Sequence, residues 1–224
     1  MTFNSMVFVV DGDAAVRESL ERLIEASGWR ARTFASANEF LAQPRVVAPS
    51  CMVLDVALPG LSGLDLQTLV ADRTDMPVIF LTGHGDVEMT VRAMKAGALE
   101  FLTKPFHPEA LVNAIREALE RSRQALAREA ALKSLRESYA SLSRREREVM
   151  TLVVSGLLNK QVGGELGISE ITVKAHRGQV MRKMQADSLA GLMRMADRLG
   201  VPPAAAAWAP PAAMTGQASA AWSI

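Results

Sequence analysis

The stretch VFVVDGDAAVRESL, Val7 to Leu20, decides how the rest of the chain is read. Four apolar residues, Val7–Val10, run into Asp11, Gly12 and Asp13, and a helical pattern begins at once, with Leu20, Leu23 and Ile24 on one apolar face. An apolar run this short, bounded by a turn and a helix, reads as a buried strand that ends in carboxylates. The figure recurs. Further apolar runs lie at Arg30–Phe34, Met52–Leu54, Val78–Leu81 and Phe101–Thr103, and the segments Ala14–Ser27, Ala37–Ala42, Leu64–Arg73 and Val87–Ala96 between them read as helices.

Short strands alternating with helices predict an α/β fold, a five-stranded parallel sheet with both faces covered. Ligand sites in such sheets lie beyond the carboxyl ends of the strands. Asp11 ends the first strand, Asp55 the third, Thr82 the fourth and Lys104 the fifth, so four polar residues converge on one crevice.

The chain has 224 residues, enough for two small domains, and 49% of them are hydrophobic. The single cysteine, Cys51, excludes an internal disulfide, and a chain without a cysteine framework suits a reducing cytoplasm. No run approaches the ~18 apolar residues of a membrane span, and the N-terminus has no signal-peptide pattern, so no membrane partner is expected. Charge is uneven. Residues 1–106 carry 9 Lys/Arg against 13 Asp/Glu, a net of −4, whereas residues 141–199 carry 10 against 6, a net of +4. A basic second half makes nucleic acid a candidate partner there.

From Pro108 to about Tyr139 the chain reads as one long helix with no internal Gly or Pro. Leu119, Leu126, Leu132, Leu135, Tyr139 and Leu142 form a ragged heptad interrupted by Ser122 and Glu129. That pattern fits a coiled coil between domains. It equally fits a helix that covers the sheet and runs on as a solvated linker. The next segment is all helical: SLSRRERE opens with Ser143 as N-cap and Glu146 completing a capping box, NKQVGGELG closes on Gly167, SEITVKAHRGQVMRKM opens on Ser169, and Asp187–Leu199 stops at Gly200 and Pro202. The expected organisation is 1–107, 108–140, 141–200, and a Pro/Ala-rich tail, 201–224, with too little to bury.

The first crevice has the chemistry of phosphoryl acceptance. A carboxylate that accepts a phosphoryl group must be relieved of repulsion by cations. Mg²⁺ takes oxygen ligands, often one or two carboxylates plus waters. Asp55 in MVLDVALPG stands where a buried strand meets a loop, and the carbonyl of Ala57 can turn toward the same metal; Thr82 supplies a hydroxyl and Lys104 a cation. With these residues in place, VFVVDGDAAVRESL, VLDVALPGLSGLDL and FLTGHGDVEMTVRAMKAGALEFLTKPF resemble the receiver domain of two-component response regulators over about Phe3–Phe106. The resemblance implies a flavodoxin-like fold and Mg²⁺ as cofactor. Asp55 would be the phosphoacceptor and Asp11 the first of an acidic pair. Thr82 would be the switch hydroxyl and Phe101 the aromatic that turns inward. Lys104 would contact phosphate, and Pro105 would follow it through a cis peptide. The face from about Val87 to Ala118 would dimerise on phosphorylation.

Gly12 departs from that pattern, because it occupies a position where the family has a second metal-binding aspartate. The remaining ligands would be Asp11, Asp55 and the Ala57 carbonyl. Asp13 suits a helix N-cap or first-turn acid better than a replacement ligand. Mg²⁺ dependence is therefore expected to be weakened. Cys51 is expected in the core, and His84 and His107 at the surface.

In the basic segment, NKQVGGELGISEITVKAHRGQVMRKM fits a helix-turn-helix, with Gly167 at the turn and Val162, Leu166, Ile168, Val173, Val180 and Met184 at core spacing. Lys174, Ala175, Gly178 and Gln179 then lie on another face. Lys174 suits guanine or phosphate and Ala175 a thymine methyl, while Arg177, Arg182 and Lys183 suit phosphates. The longer stretch Leu142 to about Leu199 resembles the LuxR/FixJ/NarL-type DNA-binding domain. The resemblance places Thr172 at the start of the recognition helix and Lys174 and Ala175 at base edges, and it makes the last helix a dimer contact. Gly163 stands where the family has Ala, which predicts a scaffold helix looser by about 1 kcal/mol.

Together these predict a FixJ-type regulator: a receiver joined by a long helix to an all-α, four-helix helix-turn-helix domain. Asp55 would be phosphorylated by a sensor histidine kinase, and the protein would dimerise and bind a promoter in double-stranded DNA. One alternative is an atypical receiver controlled by a partner or by constitutive dimerisation. An alternative of another class is an aspartyl-phosphate phosphatase-like enzyme, which would need a substrate cap; no insertion large enough for one is visible.

Overall fold

The apolar runs pair into one five-stranded sheet. A computed structural model of the chain describes residues 5–83 and 87–202. In chain order the first elements are β1 (Met6–Val10), α1 (Ala14–Ala26), β2 (Arg30–Phe34), α2 (Ala37–Leu41), β3 (Ser50–Asp55), α3 (Gly63–Leu69), β4 (Val78–Thr82), α4 (Val87–Lys95), β5 (Glu100–Thr103) and α5 (Pro108–Ala140). They are followed by α6 (Arg144–Val154), α7 (Asn159–Leu166), α8 (Glu170–Lys183) and α9 (Leu189–Leu199). The chain divides into two units, Met1–Glu129 and Ala130–Ile224, and the division falls inside α5. Residues 203–224 of the expected tail, with Trp208 and Trp222, and His84 lie outside the described residues, while Val201 packs against the core of the second unit.

The sheet order is β2-β1-β3-β4-β5 and every pairing is parallel. Because side chains alternate along a strand, each strand feeds both cores. Phe8, Val10, Met52, Leu54 and Phe80 meet Phe40 of α2, Leu66 of α3 and Ala93 of α4 on one face. Val7, Val9, Cys51, Val53, Ile79 and Leu81 meet Leu20 and Ile24 of α1 and Leu111, Ile115 and Leu119 of α5 on the other. Cys51 is fully buried, which pushes its thiol pKa up and leaves it a small core residue. Helix α3 ends four residues short of the expected Arg73, because residues 70–76 close successive turns, with Arg73 N–H donating to the Val70 carbonyl and Met76 N–H to that of Arg73.

Ser122 is not a defect in a heptad. It is fully buried, accepts from the Ser50 amide at 2.8 Å and donates to the Asp75 carbonyl. Leu119 belongs to the core of the first unit, while Leu135, Tyr139 and Leu142 belong to a core of the second.

In the second unit the local signals hold. Ser143 and Glu146 form the capping box of α6. Gly167 adopts φ 66° at the end of α7, where a left-handed residue lets the chain turn into α8. Ser169 caps α8, and Ser188 caps α9, which therefore starts two residues later than expected. Val149, Val153, Val162 and Val173 pack α6, α7 and α8 together. Gly163 reverses the expectation drawn from it: a Cβ there would lie 2.8 Å from the Ile168 carbonyl oxygen, so in this chain the glycine permits a close approach of α7 to the turn.

Candidate functional site

The strand order places the site. In a 2-1-3-4-5 sheet the connections leave β1 and β3 in opposite directions, and the crevice at their carboxyl ends is open. Asp11 follows β1 and Asp55 is the last residue of β3. Asp11 is almost fully buried, 2% exposed, so its charge needs compensation. Lys104, just after β5, provides it: Nζ is 2.7 Å from Asp11 Oδ2 and 3.8 Å from Asp55 Oδ2. Asp11 Oδ1 also accepts from the Asp13 amide at 2.9 Å. The Ala57 amide donates to Asp55 Oδ1 at 3.3 Å.

The Asp55 carboxyl is held above the usual aspartate range. Burial is the main cause and the nearby Asp11 charge adds to it; Lys104 and the amides of Ala57 and Val56 pull the other way. Thr82, 3% exposed, ends β4, and its carbonyl accepts from the Lys104 amide at 2.7 Å, which ties the ends of β4 and β5 together. Phe101 is half-buried with its ring centroid 6.1 Å from that of Phe80. The Lys104–Pro105 peptide is cis. Asp11, Asp55, Thr82 and Lys104 are thus gathered at one end of the sheet.

Asp13 caps α1, its Oδ1 accepting from Ala15 N at 2.8 Å and Val16 N at 3.4 Å. It is therefore engaged by the helix. Gly12 has ordinary backbone, and an added Cβ would meet only Pro59 Cδ, at 3.4 Å. Arg17 was not singled out from the sequence. Its Nη1 reaches back to the carbonyls of Asp11 and Gly12, at 2.8 and 3.1 Å, and fixes the loop that carries the acidic residue. Gly63, which the sequence suggests only as part of a tight turn with Ser62, opens α3, and a Cβ there would lie 2.3 Å from the Asp55 carbonyl oxygen.

The residues expected at DNA divide into two groups. Thr172, Lys174, Ala175, Gly178 and Arg182 are exposed on α8. Thr172 also completes the cap, its amide donating to Ser169 Oγ at 3.1 Å. Lys174 Nζ lies 3.1 Å from Glu170 Oε1, an exposed pair that a phosphate can replace. Arg177, Gln179 and Lys183 are half-buried. Arg177 donates to Asn159 Oδ1 at 3.1 Å and so joins α8 to α7. Lys183 Nζ is 2.7 Å from Glu146 Oε2 and 3.2 Å from the Ser141 carbonyl, which ties α8 to the start of α6. That ammonium and the Ser143 amide hold the Glu146 carboxyl below the usual range.

A parallel 2-1-3-4-5 sheet with two carboxylates and a lysine at its carboxyl end, in one chain with a helix-turn-helix, defines a phosphorylation-controlled DNA-binding protein. Residues 7–116 match the response regulator receiver domain, and residues 140–196 match the bacterial regulatory proteins of the luxR family. Nodulation protein W of Bradyrhizobium diazoefficiens is 50% identical over 198 residues, 88% of this chain and 87% of that protein. Transcriptional regulatory protein FixJ of Azorhizobium caulinodans is 46% identical over 88% of this chain and 94% of its own length. Among solved structures, the response regulator StyR superposes with a TM-score of 0.79 at 43% identity, covering 87% of this chain and 99% of that one. The chain belongs to the two-component transcriptional response regulators that pair a receiver with a LuxR-type DNA-binding domain. The relatives favour neither the partner-controlled alternative nor a phosphatase-like enzyme.

Receiver domains generally use Mg²⁺ for phosphorylation, and their partner class is a sensor kinase. The residues here fit a hard dication: two carboxylates sharing one ammonium leave a net negative oxygen pocket. Among the described residues no group of three or more His, Cys, Asp or Glu could hold a metal. No helix among the described residues is long and apolar enough to cross a membrane.

Proposed function

We propose that Asp55 is the phosphoacceptor and that its modification controls dimerisation and promoter binding in the cytoplasm. The observation that carries this is the shared ammonium: Lys104 lies within 4 Å of both Asp11 and Asp55 at the open end of the sheet. An Asp55 carboxylate oxygen attacks the phosphorus of a kinase phosphohistidine. The P–N bond breaks, the imidazole, already protonated on its other ring nitrogen, leaves as the neutral base with the bonding pair, and an acyl phosphate remains on Asp55. Lys104 offsets charge on the transferred group, and Thr82 offers a hydroxyl to its oxygens. Mg²⁺, when bound, supplies charge neutralisation; Asp11, Asp55 and the Ala57 carbonyl would hold it. Pro105 follows Lys104, and Phe101 lies opposite Phe80, two residues before Thr82 on β4, which suits both to relay the change. Exposed Val87, Val91 and Met94 on α4 support a dimer face. Lys174, Ala175, Gly178 and Arg182 would face DNA, with Thr172 at the head of the recognition helix. Arg177 and Lys183 would hold that helix in place, and Gln179, which accepts from Arg182 on the same helix, would stay on the DNA side.

A test is phosphorylation by acetyl phosphate with and without Mg²⁺, followed by chromatographic size and DNA binding. Wild type is expected to gain one acid-labile phosphate and enlarge, and Asp55→Asn to do neither. Retention of the phosphate by Asp55→Asn would refute the assignment. Weakened Mg²⁺ dependence follows from Gly12, and Gly12→Asp has the room to restore it. Its Mg²⁺ midpoint, read from the rate of phosphorylation, is expected to fall below that of wild type; identical titrations would sink this part.

A further inference from the structure

Helix α8 carries a large apolar side chain that its own domain does not use. Ile171 is 80% exposed and belongs to neither apolar cluster of the second unit, whereas Val173 and Val180 on the same helix are buried. Ile171, Lys174, Ala175, Gly178 and Arg182 are spaced i, i+3, i+4, i+7 and i+11, so they form one exposed stripe. The stripe is bulky at its N-terminal end and bare in the middle. At Gly178 an added Cβ would meet nothing within 4 Å, so the domain's own packing does not require glycine there. A mid-helix glycine weakens a helix by roughly 0.5–1 kcal/mol relative to alanine. A surface that gives up that stability for a bare strip is shaped for close approach of another body.

The charge on this stripe identifies the body. Lys174 and Arg182 flank the strip, and residues 141–199 carry a net of +4, which suits duplex DNA. In a helix-turn-helix the first residues of the second helix meet base edges, and Ile171 is in the first turn of α8. The apolar group that base pairs display in the major groove is the C5-methyl of thymine. We infer that Ile171 is a specificity residue that packs on a thymine methyl in each half-site. This rests on the DNA-binding reading above.

The test removes each side of the contact separately. Duplexes selected from a random pool by the full-length protein are resynthesised with deoxyuridine at one thymine at a time. Wild type is expected to lose about fourfold in affinity at one position per half-site besides any thymine that Ala175 meets, the effect of burying one methyl-sized group. Ile171→Ala is expected to be indifferent to that exchange, to keep its other base preferences, and to melt at the wild-type temperature. Ile171→Val, which keeps one branch, should retain part of the sensitivity. Wild type that binds selected DNA but senses no thymine methyl overturns the inference, as does Ile171→Ala with undiminished sensitivity. Failure of wild type to select any duplex would instead remove the DNA reading and the inference with it.

Discussion

Gly63→Ala is expected to damage the site proposed around Asp55 from a residue with no side chain of its own. The added Cβ would stand 2.3 Å from the Asp55 carbonyl oxygen and 3.1 Å from both Asp55 C and Val56 Cα. An ordinary contact begins near 3.4 Å, so the backbones must separate by about 1 Å. All three obstructing atoms are main chain, and no rotamer relieves them. The Gly63 amide donates to the Val56 carbonyl at 3.0 Å, and that bond is the first to stretch as α3 retreats. Overpacking of this kind costs about 1–3 kcal/mol, and backbone on both sides puts Gly63→Ala at the upper end. That is a large share of a typical domain stability of about 5–15 kcal/mol. Displacing a reacting group by about 1 Å lowers rates on the order of 10²-fold. The assays are urea denaturation of the full chain and the rate of phosphorylation by acetyl phosphate. A variant within about 0.5 kcal/mol of wild type that phosphorylates at the same rate would refute the claim that Gly63 sets the position of Asp55.

Further outcomes follow from the same structure. Because burial raises the Asp55 pKa in the folded state, its contribution to stability is complete below the unfolded value and is lost as pH rises through the folded one. Asp55→Asn is thus expected to be more stable than wild type at pH 7, with the gap closing toward pH 4; equal gaps in urea midpoints at both pH values would contradict this. Gly163→Ala is expected to destabilise by about 1–3 kcal/mol through the 2.8 Å approach to the Ile168 oxygen. Gly178→Ala, with open space around it, is expected to stabilise by roughly 0.5–1 kcal/mol; thermal melts of the two variants moving in the same direction would refute this pair. Ser122→Ala leaves the Ser50 amide and the Asp75 carbonyl without that partner, at a cost of about 1–3 kcal/mol. Denaturant midpoints check it.

The sheet and its strand ends were legible because the three central strands, β1, β3 and β4, are buried almost throughout and run into polar residues, Asp11, Asp55 and Thr82. Period and punctuation are local signals, and so are caps: Asp13, Ser143, Ser169 and Gly167 all act within four residues of themselves. What was not legible is nonlocal. Ser122 bonds to groups 72 and 47 residues away, so along the chain it looks like a break in a heptad. Arg177 and Lys183 look like free cations on a basic helix, and only the packing of α6 and α7 shows that Asn159 and Glu146 occupy them. Gly63 sits in a turn-rich run where glycine needs no special reason, and its reason is the Asp55 carbonyl across the loop.

Gly12 ties these observations to the electrostatics of the site. Among the described residues Asp11, Asp55 and Lys104 carry a formal sum of −1, and a carboxylate at position 12 would make it −2. Two opposing consequences follow from that single charge. A dication is held less firmly with Gly12, because attraction scales with the charge that faces it. An incoming phosphoryl group, itself anionic, meets less repulsion for the same reason. The backbone does not require glycine here, since φ is ordinary and a Cβ would have room against Pro59. Arg17 already anchors the loop through main-chain carbonyls, so loop shape does not depend on the missing side chain. Restoring the carboxylate therefore changes charge with little change in shape, and the two effects separate by condition. With Mg²⁺ limiting, Gly12→Asp gains from tighter metal binding; without Mg²⁺ it loses to repulsion. Opposite signs in the two conditions distinguish an electrostatic role for position 12 from a structural one, which would move both rates together.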